Sequence, residues 1–165
     1  MRIEDSVVAV TGGASGLGEA VARRCIDEGA AGVAIIDVNA DAATSLASEL
    51  GERALALPCD VRQPNNVTQA MSTVAEKFGH LNLAVSCAGV GWAERTLAKD
   101  GSPADLDAYR RIIEINLIGT YDFARQAASL MAKNEPNTSG ERGAIVMTAS
   151  LAAFAAFASR LFATL

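Results

Sequence analysis

The sequence predicts an α/β fold built on a doubly wound parallel sheet, with helices on both faces. Three observations predict it. Short, almost wholly apolar runs alternate with amphipathic segments along most of the chain. Polar and acidic residues gather just after those runs, as at Asp37, Asp60 and Ser86. Glycines close the first run and open the first helical segment. Continuous apolar strands separated by helices belong to a parallel sheet covered on both sides, and right-handed crossovers then leave few other topologies.

The first strand is predicted at 6–11, where Val7-Val8-Ala9-Val10 forms an uninterrupted apolar core. Thr11-Gly12-Gly13-Ala14-Ser15-Gly16-Leu17-Gly18 follows and leads into a helix over 16–29. Further strands are expected at 33–37, 53–57, 81–86 and 143–149, and further helices at 41–50, 64–79 and 104–133. In the third helix Val67, Met71, Val74 and Phe78 recur at helical spacing and define a core face. Pro64 suits a first helical turn, and Gly51 and Gly79 suit helix ends.

The 165 residues fit a single domain. Half are hydrophobic and a fifth charged, which excludes a disordered chain. A net charge of −5 argues against nucleic acid as a partner, because phosphate binding needs a clustered basic face. No apolar run is long enough to span a bilayer, and no basic-then-apolar leader opens the chain, so a cytoplasmic location is expected. Cys25, Cys59 and Cys87 are widely spaced in apolar surroundings and read as buried, reduced thiols. With His80 the only histidine, the sequence offers no metal site and no Ser–His–Asp triad.

Ligands of such sheets bind outside the carboxyl ends of the strands. A strand turning through glycines into a helix presents unpaired N–H groups and the positive end of the helix dipole, a ready site for a dinucleotide pyrophosphate. Gly12 suits the tight turn, Gly16 lets phosphate approach the backbone, and Gly18 lets the helix pack closely. Asp37 closes the second strand nineteen positions after Gly18. A carboxylate there accepts hydrogen bonds from both ribose hydroxyls and repels a 2′-phosphate, so NAD is expected over NADP. An Asp that only starts a turn before Asn39 is the alternative.

These residues resemble those of the short-chain dehydrogenases/reductases. Thr11–Gly18 resembles that family's T-G-x-x-x-G-x-G cofactor motif, contributing Gly12, Ser15, Gly16, Leu17 and Gly18. Cys59-Asp60-Val61 resembles the segment whose Asp meets the adenine ring. Ser86-Cys87-Ala88-Gly89 resembles the N-N-A-G motif, with Ser86 in place of the first Asn. Ile115-Asn116-Leu117 and Thr148-Ala149-Ser150 resemble the segments that carry the catalytic Asn and Ser. Asn134-Glu135-Pro136, the 140–143 stretch and 148–154 look most like the type-2 3-hydroxyacyl-CoA dehydrogenases. The resemblance implies a Rossmann-type domain over 1–154 and hydride transfer between NAD and a secondary alcohol, with an acyl-CoA or a hydroxysteroid-like molecule as substrate. It implies cofactor contacts from Asp37, Asp60, Val61, Cys87, Ala88 and Gly89 and catalytic roles for Ser150 and Asn116; the family is usually homo-oligomeric, but its usual contact region is missing here.

The family's mechanism also needs a Tyr-x-x-x-Lys pair, the Tyr passing the proton and the Lys lowering its pKa. The sequence has no lysine after Lys133, and its tyrosines, Tyr109 and Tyr121, stand before the last predicted strand. Tyr121 reads as a packing residue continuing the Leu117 helical face. Residues 155–165 form an atypical Ala/Phe-rich tail. The expectation is a C-terminally truncated member whose sheet is incomplete and whose turnover is negligible. A catalytically silent NAD-binding module and a non-functional truncation product remain as alternatives.

Overall fold

The computed structural model describes residues 1–91, 93–150 and 161–162. Five strands form one parallel sheet: β1 (Val7–Thr11), β2 (Gly32–Asp37), β3 (Ala54–Pro58), β4 (Leu83–Ser86) and β6 (Ala144–Met147). Their spatial order is β3-β2-β1-β4-β6. The chain winds outward from β1 through β2 to β3, then returns to the other side of β1 at β4. A crevice therefore opens between the carboxyl ends of β1 and β4, at the topological switch point, where open α/β sheets of this kind bind ligands.

Helices α1 (Gly16–Asp27) and α2 (Ala40–Leu50) cover one face, and α3 (Pro64–Phe78) and α5 (Thr120–Met131) cover the other. Alternate residues of each strand point to opposite faces, so one apolar run supplies two cores. Val8, Val10, Val33 and Ile35 pack with Ala22, Cys25, Ile26 and Leu46. Val7, Ala9, Ala34 and Ile36 pack with Val67, Met71, Val74, Phe123 and Met131. That double burial is why the strands read as unbroken apolar runs.

The element boundaries shift by a few residues from the sequence expectation, and one element changes character. The helix expected over 104–133 is α4 (Leu106–Ile113), a π-helical turn (Glu114–Gly119) and α5 in direct succession. The wider turn buries Asn116 and Gly119 while leaving Leu117 and Ile118 exposed. Gly119 sits so close to Val61 that a Cβ would lie 2.9 Å from the valine Cγ2. The Leu117–Tyr121 face consequently points to solvent, and Tyr121, expected to pack, is 69% exposed.

A short antiparallel pair joins β5 (Ala93–Glu94) to β7 (Leu161–Phe162), a pairing absent from the sequence reading. The expected tail 155–165 lies outside the described residues except for those two, as does the 151–154 end of the expected domain. No helix among the described residues is long and apolar enough to cross a membrane.

Candidate functional site

Two adjoining clefts run along the carboxyl edge of the sheet. The first, of about 400 Å³, takes Gly12, Ser15, Gly16, Leu17 and Gly18 from the glycine loop and Asp37 from β2. Asp60 and Val61 enter it from the loop after β3, and Cys87, Ala88 and Gly89 from the loop after β4. The second, of about 230 Å³, shares Cys87, Ala88 and Gly89 with the first and adds Asn116 and Ser150. The fold thus collects residues scattered over 139 positions of sequence, from Gly12 through Ser150, onto one continuous edge.

The glycine loop has the shape of an anion cradle. Gly12 and Gly16 have φ of +62° and +54°, backbone values that side chains rarely adopt. A Cβ on Gly12 would lie 2.7 Å from the Ala88 nitrogen, so the loop is pressed against the β4 loop. A Cβ on Gly16 would meet nothing within 4 Å, which leaves this backbone open to the cleft. A Cβ on Gly18 would lie 2.0 Å from the Gly12 carbonyl oxygen, so the close packing it permits is against the loop itself. Ser15 precedes α1 in an extended conformation and its side chain makes no cap hydrogen bond. The first-turn N–H groups of α1 therefore receive no side-chain cap from Ser15.

Asp37 starts the turn before Asn39, the alternative weighed for it, and also lines the cleft. Its Oδ1 accepts from Asn39 N at 2.9 Å, which starts the turn into α2, while Oδ2 accepts from Ala14 N at 3.0 Å and ties β2 to the glycine loop. The carboxylate keeps further lone pairs and lines the cleft.

Asp60 is gripped by Arg62, which the sequence reading did not single out. Arg62 Nε donates to both Asp60 oxygens at 3.0 Å, Nη2 donates to Oδ2 at 2.5 Å, and the Arg62 backbone N–H donates to Oδ1 at 3.0 Å. This pairing, helped by Arg111, holds the Asp60 carboxyl below the usual carboxylate range. Arg62 and Arg111 both line the first cleft. An Asp-x-Arg spacing just after a strand was the signal available for Arg62.

In the second cleft Asn116 is 8% exposed and clamps the β4 loop. Its Oδ1 accepts from Val90 N at 2.9 Å and its Nδ2 donates to Val90 O at 2.8 Å. Hydroxyls join the neighbouring strand ends. Thr11 Oγ1 donates to Ser86 Oγ at 3.4 Å and accepts from Ala88 N at 3.3 Å. Ser86 Oγ lies 3.2 Å from Thr120 Oγ1, and Thr148 Oγ1 donates to Ser86 O at 2.8 Å. Ser86, standing where the resembling motif has an amide, therefore links β1, β4 and α5.

Cys25 and Cys59 are buried as expected, and burial pushes both thiols up, Cys59 to about 11. Cys87 departs from that expectation. It is only partly buried, because the loop carrying it forms the wall shared by both clefts.

The sequence profile of the short chain dehydrogenase family matches residues 6–161. The 3-hydroxyacyl-CoA dehydrogenase type-2 of Drosophila melanogaster is 43% identical over 153 residues, which cover 92% of this chain and 60% of that protein. The human protein of the same name is 38% identical over 153 residues, covering 92% of this chain and 58% of its own length. Among solved structures, 3-hydroxyacyl-CoA dehydrogenase type-2 from Mycobacterium avium superposes with a TM-score of 0.84 at 42% identity, covering 91% of this chain and 58% of that one. A 3-ketoacyl-(acyl-carrier-protein) reductase from Brucella melitensis, complexed with NADH, superposes at 0.79 with 30% identity, covering 90% and 59%. The chain spans about three-fifths of the length of the relatives it matches.

Proposed function

The chain belongs to the short-chain dehydrogenase family, and we propose that its first cleft binds NAD in preference to NADP. The carrying observation is the convergence of the glycine cradle, with an open backbone at Gly16, and the Asp37 carboxylate in one cleft. The cradle fits an anionic pyrophosphate, since unpaired amides and a helix N-terminus attract negative charge there. Asp37 fits ribose hydroxyls, to which it offers lone pairs, and disfavours an added phosphate through like-charge repulsion. Asp60 and Val61 take the adenine end, and Cys87, Ala88 and Gly89 continue the cradle toward the second cleft. Bound NAD supplies the hydride acceptor for oxidation of a secondary alcohol.

The substrate class we infer is a 3-hydroxyacyl thioester such as a 3-hydroxyacyl-CoA, from the type-2 relatives. Ser150 is the group in the second cleft that would hydrogen-bond the substrate oxygen, and Asn116 fixes the loop that separates the two clefts. A proton must also leave that oxygen. The 165 residues contain no Tyr-x-x-x-Lys, and Tyr109 and Tyr121 stand on exposed helix positions. We therefore infer that these 165 residues by themselves hold NAD without appreciable turnover.

Titration of the 165-residue protein with NADH tests this reading. Saturable binding, lost or much weakened in Gly16→Val, with no NADH formed from a 3-hydroxyacyl-CoA, is the expected result. Equal affinity for NADPH overturns the cofactor preference, and steady turnover overturns the silent reading.

A further inference from the structure

We propose that Arg62 forms a stacking wall for the adenine ring, as a positioning residue whose flat guanidinium, and not its charge, selects the adenosine end of the cofactor. The inference rests on the NAD-binding reading of the first cleft and adds to it a residue that reading does not use.

The strand order places Arg62 at one end of the clefts. Asp37 ends β2 and Val38 follows it, Asp60, Val61 and Arg62 follow β3, and these two strands lie together at one edge of the sheet. Ser150 follows β6, at the opposite edge. A dinucleotide lying along this edge with its pyrophosphate on the glycine loop and its reacting ring toward Ser150 puts its adenosine beside β2 and β3.

Two features then favour stacking. The first is orientation. Asp60 takes up the Nε and Nη2 edge of the guanidinium in a fork-shaped pairing, and the Arg62 backbone N–H donates to the same carboxylate. Edge-on pairing fixes the plane of the group, and an arginine held by its edge can stack on a ring through its face. The side chain is 34% exposed and lines the cleft. The apolar side chains of Val38, Val61 and Ile115 line the same cleft and supply the remaining apolar surface. The second feature is charge. The Asp60 carboxylate neutralises Arg62 at hydrogen-bond distance, and Glu114 adds to its negative surroundings. A cation so compensated is a poor phosphate ligand and still a good stacking plane.

The test compares NADH, ADP-ribose and reduced nicotinamide mononucleotide, which lacks the adenosine, on the wild-type protein, Arg62→Ala and Arg62→Lys. Removing a stacking plane weakens binding by about tenfold. The expected result is that both variants lose about that factor for NADH and ADP-ribose and retain wild-type affinity for the mononucleotide. Lysine keeps the charge without the plane, so wild-type binding by Arg62→Lys overturns the proposal in favour of simple attraction. An equal loss for the mononucleotide overturns it in favour of a purely structural role. If Arg62→Ala fails to fold, Arg62→Lys carries the comparison, because the ratio of NADH to mononucleotide affinity is internal to each protein. A wild-type protein that binds none of the three refutes the NAD-binding reading, whereas wild-type binding unaffected by either variant refutes this inference alone.

Discussion

Replacing Asn116 by alanine removes both hydrogen bonds that hold Val90, the 2.9 Å bond to Oδ1 and the 2.8 Å bond from Nδ2. Each such bond contributes about 1 kcal/mol net, so a loss of about 2 kcal/mol is expected. Val90 is 40% exposed, so water can reach its freed groups and keeps the loss from growing larger. For a chain of this size that corresponds to a fall in melting temperature of about 4–8 °C. The local effect is sharper. The Val90 amide should exchange with solvent slowly in the wild type and fast in Asn116→Ala, while amides in the middle of β1 stay protected. Asn116→Asp refines the case, since its carboxylate can accept from Val90 N yet faces Val90 O without a proton. That opposition raises the folded-state pKa of the new carboxyl. Its stability relative to wild type should therefore be best below the usual carboxylate pKa and fall as pH rises through the raised value. A melting temperature and Val90 exchange rate indistinguishable from wild type in Asn116→Ala would refute the clamp.

The two glycines of the loop should fail differently. Gly18→Ala drives a Cβ into the Gly12 carbonyl and should cost about 3 kcal/mol of stability along with binding. Gly16→Ala has room for its methyl and meets only the positive φ, so about 1 kcal/mol of stability is lost, while NADH binding falls further. Thiol titration at neutral pH should show Cys87 reacting first and protected by NADH, with Cys25 and Cys59 slow because burial raises both pKa values. The Asp60 carboxyl, held low by Arg62, stabilises the fold above its ordinary pKa and loses that contribution as pH falls through the depressed value. The melting-temperature gap between wild type and Arg62→Ala should accordingly narrow on acidification from neutrality; a gap that is constant with pH counts against the ion pair.

The sheet was readable because its inner strands bury both faces, which turns Val7–Thr11 and Gly32–Asp37 into plain apolar runs. The strand ends were readable for a related reason, since Asp37, Asp60 and Ser86 are polar where the apolar runs stop. What escaped the reading depends on contacts distant in sequence. The π-helical turn at Glu114–Gly119 fits Asn116 to Val90 and Gly119 to Val61, and neither partner is near it in the chain. Continuing a regular helix through that turn also misplaced Tyr121, which the change of register leaves facing solvent. Cys87 was misplaced because apolar neighbours in sequence do not reveal that a loop forms a wall between two clefts. Arg62 was missed because its pairing to Asp60 is a matter of side-chain geometry in a short loop.

The central claim is a nucleotide cleft in which Asp37 discriminates at the ribose. Calorimetric titration of the 165-residue protein with NADH and with NADPH, under identical conditions, tests it most directly. The account predicts saturable NADH binding at one site per chain and much weaker NADPH binding. Failure to bind NADH, or equal affinity for the two, would contradict it.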